Sequence, residues 1–357
     1  MNIRIALLSL LVGFLAASPS AGQEATATYG PESAPQTLTL RGTTDIAAFS
    51  PVMLAFLTEN PNLQIRYEQW GSNDLFALTQ ADCVSGQFGA DMVISSAIDL
   101  QVKLVNDACA QPYRSSLTDL LPATSRWRDE IWGVTREPAV IVYNNTLLSA
   151  EEAPTSRFDL LDLLRTQEDR FRGNVATYDI EASGLGYLFA FADSQQASTF
   201  GALLESFGRT DAVATCCSAE IITGVAEGEY LIAYNVLGSY ALNRAADDPR
   251  IAIVLPSDYT LMLTRVAIIP AAATEPERAG AFLDFMLSDS GKRALMSANL
   301  LVSLSGSDTE GSVLEQPVTS SVRPIPLSPA LLVGSDAHKR MLLLERWRGA
   351  FSESTGK

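Results

Sequence analysis

The chain has 357 residues, 47% of them hydrophobic and 18% charged, with a formal net charge of −16 and a single histidine. That acidity, with no basic run interleaved with aromatics, excludes nucleic acid as a partner and confines any anionic ligand to a local site. One histidine, and no C-x-x-C, H-E-x-x-H or G-x-S-x-G, exclude histidine-rich zinc ligation and leave a Ser-His-Asp triad dependent on His338, which reads as a solvated helix face. Nothing here calls for a cofactor or a catalytic residue.

In chain order, residues 1–22 read as an export signal. Arg4 supplies the positive n-region, Ile5 to Ala17 is an apolar run too short to span a bilayer, and small residues (Ser18, Ser20, Ala21, Gly22) lead to cleavage near Gly22. No cysteine stands there to take a lipid anchor. The destination is an oxidising compartment outside the cytoplasm, and the four cysteines fit it. Cys83 and Cys109 bracket one strand and can pair. Cys216 and Cys217 are adjacent, and read equally as a vicinal disulfide or as two free thiols.

Residues 23–35 read as a disordered lead. Thr37 to Leu40 then alternates like a strand, and Ser50 with Pro51 marks a helix start, Ser50 as N-cap. Leu63 to Tyr67 is the next strand, Gly71 to Asp74 caps a helix, and Ala90 to Ser95 is the third strand. A βαβαβ run of this kind predicts a parallel sheet with both faces covered. The apolar strand Ala139 to Tyr143 leaves that unit for a second α/β unit, with strands near Asn174, Val213, Tyr230 and Ile251. Thr260 to Ile269 returns as one long apolar strand, and Thr274 to Glu277 forms a capping box for a helix ending at Leu287. The fold class is therefore α/β, in two lobes with two crossings, near Glu137 and Tyr259. The first lobe takes residues 36–137 and 260–357, with an amphipathic C-terminal helix, and the second takes 138–259.

Candidate ligand contacts lie where strands end and helices begin, the rim on which open α/β sheets bind small molecules. Thr43 and Thr44 follow the first strand, and Ser95 and Ser96 end the third. Ser183 and Gly184 open a helix in the other lobe, Ser218 precedes another, and Tyr234 and Asn235 end a strand. Each also has a plain reading, as a turn residue, an N-cap or a half-buried strand end. Arg136 and Glu137 border an apolar strand at the first crossing. The guanidinium there offers a bidentate fork to a carboxylate or phosphate, and Glu137 an acceptor for hydroxyls or an amine.

These pieces, in this order, resemble a known family. They are Ile131 to Asn145, Phe171 to Asp179, Ala182 to Tyr187, Gly228 to Asn235, Ala281 to Gly291 and Arg323 to Ser328. Together they are similar to the periplasmic solute-binding proteins of ABC transporters, in the branch of ferric-iron, thiamine, phosphonate and sugar-phosphate binders. The resemblance implies a type II two-lobe periplasmic-binding-protein fold, a monomer that closes on its ligand, no enzymatic activity, and the transmembrane subunits of an ABC permease as partners. A sensory role, presenting ligand to a histidine-kinase ectodomain, would need the same closure. Ferric-iron members ligate metal through adjacent tyrosines just past the Tyr230 strand, whereas this chain reads Tyr234-Asn235-Val236-Leu237-Gly238-Ser239-Tyr240. With Arg136, the rim hydroxyls and the helix starts, this departure makes the expected ligand a small organic anion, a sugar phosphate, phosphonate or carboxylate, rather than bare ferric iron, and a ferric-iron-binding transport protein is the alternative.

Overall fold

The computed structural model describes residues 22–196, 199–304, 313–314 and 321–351, so the expected export signal, its last residue Gly22 apart, lies outside the described residues. The chain first lays down β1 (Gln23–Tyr29), β2 (Gln36–Gly42), α1 (Ile46–Glu59), β3 (Leu63–Trp70), α2 (Ser72–Ser85), β4 (Met92–Ser95), α3 (Ile98–Asn106), α4 (Ser116–Asp119), β5 (Arg126–Trp127) and β6 (Ile131–Gly133). It crosses to β7 (Glu137–Asn144), α5 (Arg157–Thr166), α6 (Glu168–Phe171), β8 (Val175–Tyr178), α7 (Gly184–Gln196), α8 (Thr199–Arg209), β9 (Val213–Thr215), α9 (Ser218–Glu227), β10 (Ile232–Leu237), α10 (Gly238–Asp247), β11 (Ile251–Val254) and β12 (Tyr259–Leu263). It then continues through β13 (Val266–Ile268), α11 (Pro276–Leu287), α12 (Asp289–Ser297), β14 (Ser303–Leu304), β15 (Val313–Leu314), β16 (Ser321–Pro324), a 3₁₀ turn at Pro329–Val333 and α13 (Ala337–Phe351).

Two seven-stranded sheets result, one per lobe. The first runs β1-β3-β2-β4-β13-β6-β5, and the second β16-β12-β7-β10-β8-β9 with β11 also on β7. β2, β3 and β4 are mutually parallel, as are β8, β9 and β10. Helices cover the faces, so the strands must be apolar on both sides. Every residue of β7 is buried, and the first sheet's Leu38, Leu40 and Ile94 pack with Phe49 and Phe56 of α1 and Phe282 of α11.

Several expectations change. The disordered lead is instead β1, whose alternating Ala and Thr residues pair antiparallel with β3 along the sheet edge. Helix α1 starts at Ile46, with Asp45 as N-cap, and runs through Pro51. Phe49 must be helical to join the Val52, Met53, Phe56 core stripe, and Ser50 Oγ donates to the Ala47 carbonyl (3.2 Å) that proline cannot serve. The capping box at Thr274 does not form, because Asp91 takes both the Thr274 hydroxyl and the Glu275 amide. The long return strand breaks at Thr264 and Arg265, with β12 in the second sheet and β13 in the first. Finally, β16 pairs with β12 in the second sheet and α13 packs on α8, so the tail reaches the second lobe as well.

Candidate functional site

A cavity of about 70 Å³ lies between the lobes, and the topology explains its lining. In each lobe three parallel strands end at the cleft and feed helices there: β2 to α1, β3 to α2 and β4 to α3, then β8 to α7, β9 to α9 and β10 to α10. Besides Glu24 of β1 and Arg265 between β12 and β13, most lining residues come from these junctions. They are Asp45, the N-cap of α1; Gly71 and Ser72 at α2; Ser96 just before α3; Ser183 before α7; Cys217 and Ser218 at α9; Leu237 and Tyr240 at α10. Six helix N-termini thus face one small volume. Each end carries roughly half a positive charge, although several of the first amides are taken within the protein, Ile46 by Gln69, Ala97 by Ser95 and Gly184 by Ser72.

Arg265, at the second crossing, forms the floor. Its guanidinium is almost wholly buried and is forked onto Glu137, Nε to Oε1 at 2.8 Å and Nη2 to Oε2 at 3.2 Å. Nη1 points to Thr43, 3.3 Å from its carbonyl and 3.4 Å from its hydroxyl. Burial pulls the Arg265 pKa down, and the Glu137 carboxylate, together with the Tyr240 and Tyr67 oxygens, outweighs this and keeps the group charged. Glu137 also accepts from Thr135 (2.8 Å) and from Ser239 (2.5 Å). Tyr178 is bonded to Ser218 and accepts from the Leu237 amide at 3.3 Å, and burial pushes its phenol up to about 12. Burial also raises Tyr240 well above the ordinary phenol range, with Arg265 opposing and Asp45 adding to it. Both phenols are therefore neutral.

The lobes touch directly across this cavity. Tyr240 donates to Asp45 Oδ1 (2.9 Å) and accepts from the Asp45 amide (3.1 Å). Asn73 donates to the Glu181 and Ala182 carbonyls, both at 2.9 Å, and the Gly184 amide donates to Ser72 Oγ at 2.9 Å. This is a closed arrangement of the two lobes.

Of the residues singled out from sequence, Thr43, Ser96, Ser183 and Ser218 line the cavity. Thr43 and Ser96 hydroxyls lie 3.1 Å apart, and Ser183 Oγ also caps α7 by accepting from the Gly186 amide (3.1 Å). Ser95 is buried behind the rim with its Oγ on the Ala97 amide (3.2 Å), and Thr44 is buried with its carbonyl accepting from Tyr67 (2.7 Å). The Gly184 amide is occupied by Ser72, and Glu137 sits beneath Arg265.

Arg136 is not in the cleft. Extended chain alternates its side chains, and Thr135 and Glu137 share the Arg265 face. Arg136 therefore points the other way, donating to the Val302 carbonyl (3.0 Å) and lining a separate cavity of about 410 Å³ with Met262, Lys292 and Leu304. Tyr234 and Asn235 also leave the rim. Asn235 has φ of 62° at a break in β10 register, and both side chains turn into the second lobe onto Asp193 (2.7 and 2.8 Å), where Arg157 and Tyr259 complete a buried network. Sequence reasoning missed Arg265, Ser72, Trp70, Tyr240 and Glu24. The signal for Arg265 was present: an arginine inside an apolar run has to be paired when buried.

Cys83 and Cys109 are bonded, tying the end of α2 to the loop after α3, and Cys216 is bonded to Cys217 on the cavity wall. The one cluster of metal-type ligands among the described residues is Cys216, Cys217 and Glu220, whose sulfurs are already spent on each other. No helix among the described residues is long and apolar enough to cross a membrane.

Residues 89–318 match the model of the family described as bacterial extracellular solute-binding protein. The structure of the substrate-binding protein of an ABC transporter from Agrobacterium tumefaciens is similar at 32% identity and a TM-score of 0.85, over 94% of this chain and 100% of that one. Iron-bound HitA from Pseudomonas aeruginosa is similar in fold at 16% identity and 0.65, over 88% and 99%. The periplasmic binding protein AfuA from Actinobacillus pleuropneumoniae, with exogenous fructose-6-phosphate bound, gives 17% and 0.68, over 89% and 99%. No curated protein sequence matches this chain.

Proposed function

We propose, on the premise that this chain belongs to the bacterial extracellular solute-binding protein family, that it captures a small organic anion in the interlobe cleft. Family and fold are those of the substrate-binding component of an ABC transporter, not of an enzyme, and its partners are a solute and a permease. The observation that carries the ligand class is the convergence of six helix N-termini on one cavity, with hydroxyls at Thr43, Ser72, Ser96, Ser183 and Ser218 and the Arg265 guanidinium beside them. Amides and hydroxyls bind an anion with charge-assisted bonds, about twice as strong as neutral ones, and the site needs no excess of basic side chains. Arg265 takes the place in this reading that the sequence suggested for Arg136. The fructose-6-phosphate in AfuA is an anion of the same class.

Binding works by closure. Groups from both lobes surround the ligand only when the lobes meet, so ligand draws the population toward the closed form. The cavity has room for roughly half a dozen water-sized groups, which favours short phosphonates, phosphate esters and carboxylates over hexose phosphates. A thermal-shift screen of carboxylates, phosphonates, phosphate esters, thiamine and ferric iron tests the reading. At least one anion should raise the melting temperature in a concentration-dependent way. Stabilisation by ferric iron alone, with a phenolate charge-transfer band, would overturn it.

A further inference from the structure

The Cys216–Cys217 bond is not placed to staple the fold. A crosslink stabilises chiefly by restricting the unfolded chain, more so for a longer loop, and these two residues are neighbours that close none. Cys83 and Cys109, 26 residues apart, are the pair that does this. Cys216 is instead exposed, Cys217 is half-buried, and both line the interlobe cavity. Exposed disulfides are the ones open to thiol exchange in the native state.

Hydrogen bonds connect this pair to all three second-lobe helix starts at the cleft. Cys217 is the N-cap of α9, and its carbonyl accepts from the Ile221 amide (3.0 Å). Ser218, the next residue, is bonded to the Tyr178 hydroxyl, which accepts from the Leu237 amide (3.3 Å) at the N-cap of α10. On the other side, the Thr215 carbonyl accepts from the Asp179 amide, and the Asp179 carbonyl accepts from the Ser183 amide just before α7, both at 2.8 Å. While the sulfurs are bonded, the small ring they close restricts the torsions of the Cys216–Cys217 peptide. Two thiols cannot stay at bonding distance, so on reduction the side chains separate, and the displacement falls on the cavity wall and these bonds. The reduced form also has a partner at hand. Cys216 Sγ lies 3.5 Å from Glu220 Oε2, an acceptor that a thiol can use and a disulfide cannot.

We propose that Cys216 and Cys217 form a reversible two-electron switch on solute capture, the disulfide being the capturing form and the dithiol the relaxed one. The reductant is a dithiol. One of its thiolates attacks Cys216 Sγ, the bond between the two cysteines breaks, and Cys217 leaves as a thiolate that takes a proton. The reductant's second thiolate then attacks its own bonded sulfur and releases Cys216, which is protonated in turn. Two electrons and two protons have passed to the pair, and the reductant ends as a disulfide. A disulfide oxidant reverses both steps. The inference rests on the cleft being the solute site and is independent of the ligand's charge.

The test is amide hydrogen exchange on the intact protein before and after dithiothreitol treatment that opens Cys216–Cys217 and leaves Cys83–Cys109 closed, as peptide mass spectrometry reads. Reduction should speed exchange about tenfold around Ser183, Ser218 and Leu237 and leave the first-lobe helix starts at Ile46 and Ile98 unchanged. Oxidised glutathione should restore the slow rates. Cys216→Ser with Cys217→Ser should exchange like the reduced protein without any reductant and should not respond to dithiothreitol. The thermal-shift panel above, run on both forms after removal of the reductant, should show its stabilising compound binding about tenfold more weakly to the dithiol form. Equal exchange in the two forms would overturn the switch, as would equal stabilisation of both by the same compound. A response to dithiothreitol that persists in the double-serine variant, or a Cys216–Cys217 bond that opens only on unfolding, would overturn it too. A panel that stabilises neither form would count against the anion reading alone, and the exchange rates would still decide the switch.

Discussion

At the residue scale, the pairing of Arg265 with Glu137 governs both the floor of the cavity and the junction of the lobes. Two buried charges of this kind are tolerable only together, so Arg265→Ala should destabilise the protein by about 3–5 kcal/mol in denaturant unfolding, as well as weakening ligand. Arg136→Ala is the contrasting variant. Its side chain serves Val302 on the far side of the crossing, so calorimetry should find cleft affinity unchanged. Asp99, buried in the first turn of α3, makes a pH prediction of less usual sign. Burial pushes its carboxyl up to about 6, against hydrogen bonds from the Leu100 and Asp99 amides and the charge of Arg340. The folded state therefore holds this proton more tightly than the unfolded chain, and its contribution to stability falls as pH rises from about 4 to about 6. Asp99→Asn should flatten that interval in urea titrations and raise stability at neutral pH by on the order of 3 kcal/mol.

At the scale of elements, the two disulfides differ in exposure and should differ in behaviour. Cys109 is buried, and its bond to Cys83 closes a separation of 26 residues between α2 and the end of α3. Loop-closure entropy makes such a crosslink worth about 3–4 kcal/mol, so Cys83→Ser with Cys109→Ser should lower the unfolding free energy by that order. Cys216 is exposed at the start of α9. Alkylation without reduction should find no free thiol, and mild dithiol reduction should release Cys216 and Cys217 before Cys83 and Cys109. Mass spectrometry reads both results, and early labelling of Cys109 would contradict the order. Helix α1 shows why local signals mislead at this scale. Ser50-Pro51 is a sound helix start in isolation, but burying Phe49 against Tyr67 and Phe282 extends the helix five residues upstream of Pro51, to Ile46.

At the scale of the whole molecule, direct bonds between the lobes add to whatever the ligand contributes to closure. Asn73 and Ser72 of the first lobe hold the Glu181 to Gly184 segment of the second without touching the Asp45–Glu24 end of the cavity. Losing them reduces the fraction of closed molecules, and apparent affinity falls by the same fraction. Asn73→Ala should therefore weaken binding of the best ligand and enlarge the ligand-free radius of gyration in small-angle scattering. If both measurements matched the wild type, these bonds would have no part in closure.

Much of this architecture is legible in the sequence. Runs such as Ala139 to Tyr143 and Leu63 to Tyr67, alternating with helical stretches, determine two covered α/β sheets, because hydrophobic period and length depend on local residues alone. The helix starts at Ser183 and Ser218, and with them part of the rim, follow from the same local rules. What only the tertiary structure decided is which rim residues meet. Arg136 and Arg265 are both arginines at a crossing, and a one-residue alternation sends the first to Val302 while the second faces Thr43. The bulge at Asn235 turns Tyr234 into the interior, and Asp45 meets Tyr240, 195 positions away, only because two sheets face one another. Side-chain direction at a strand end depends on register and on the opposing lobe, and neither is a property of the local sequence.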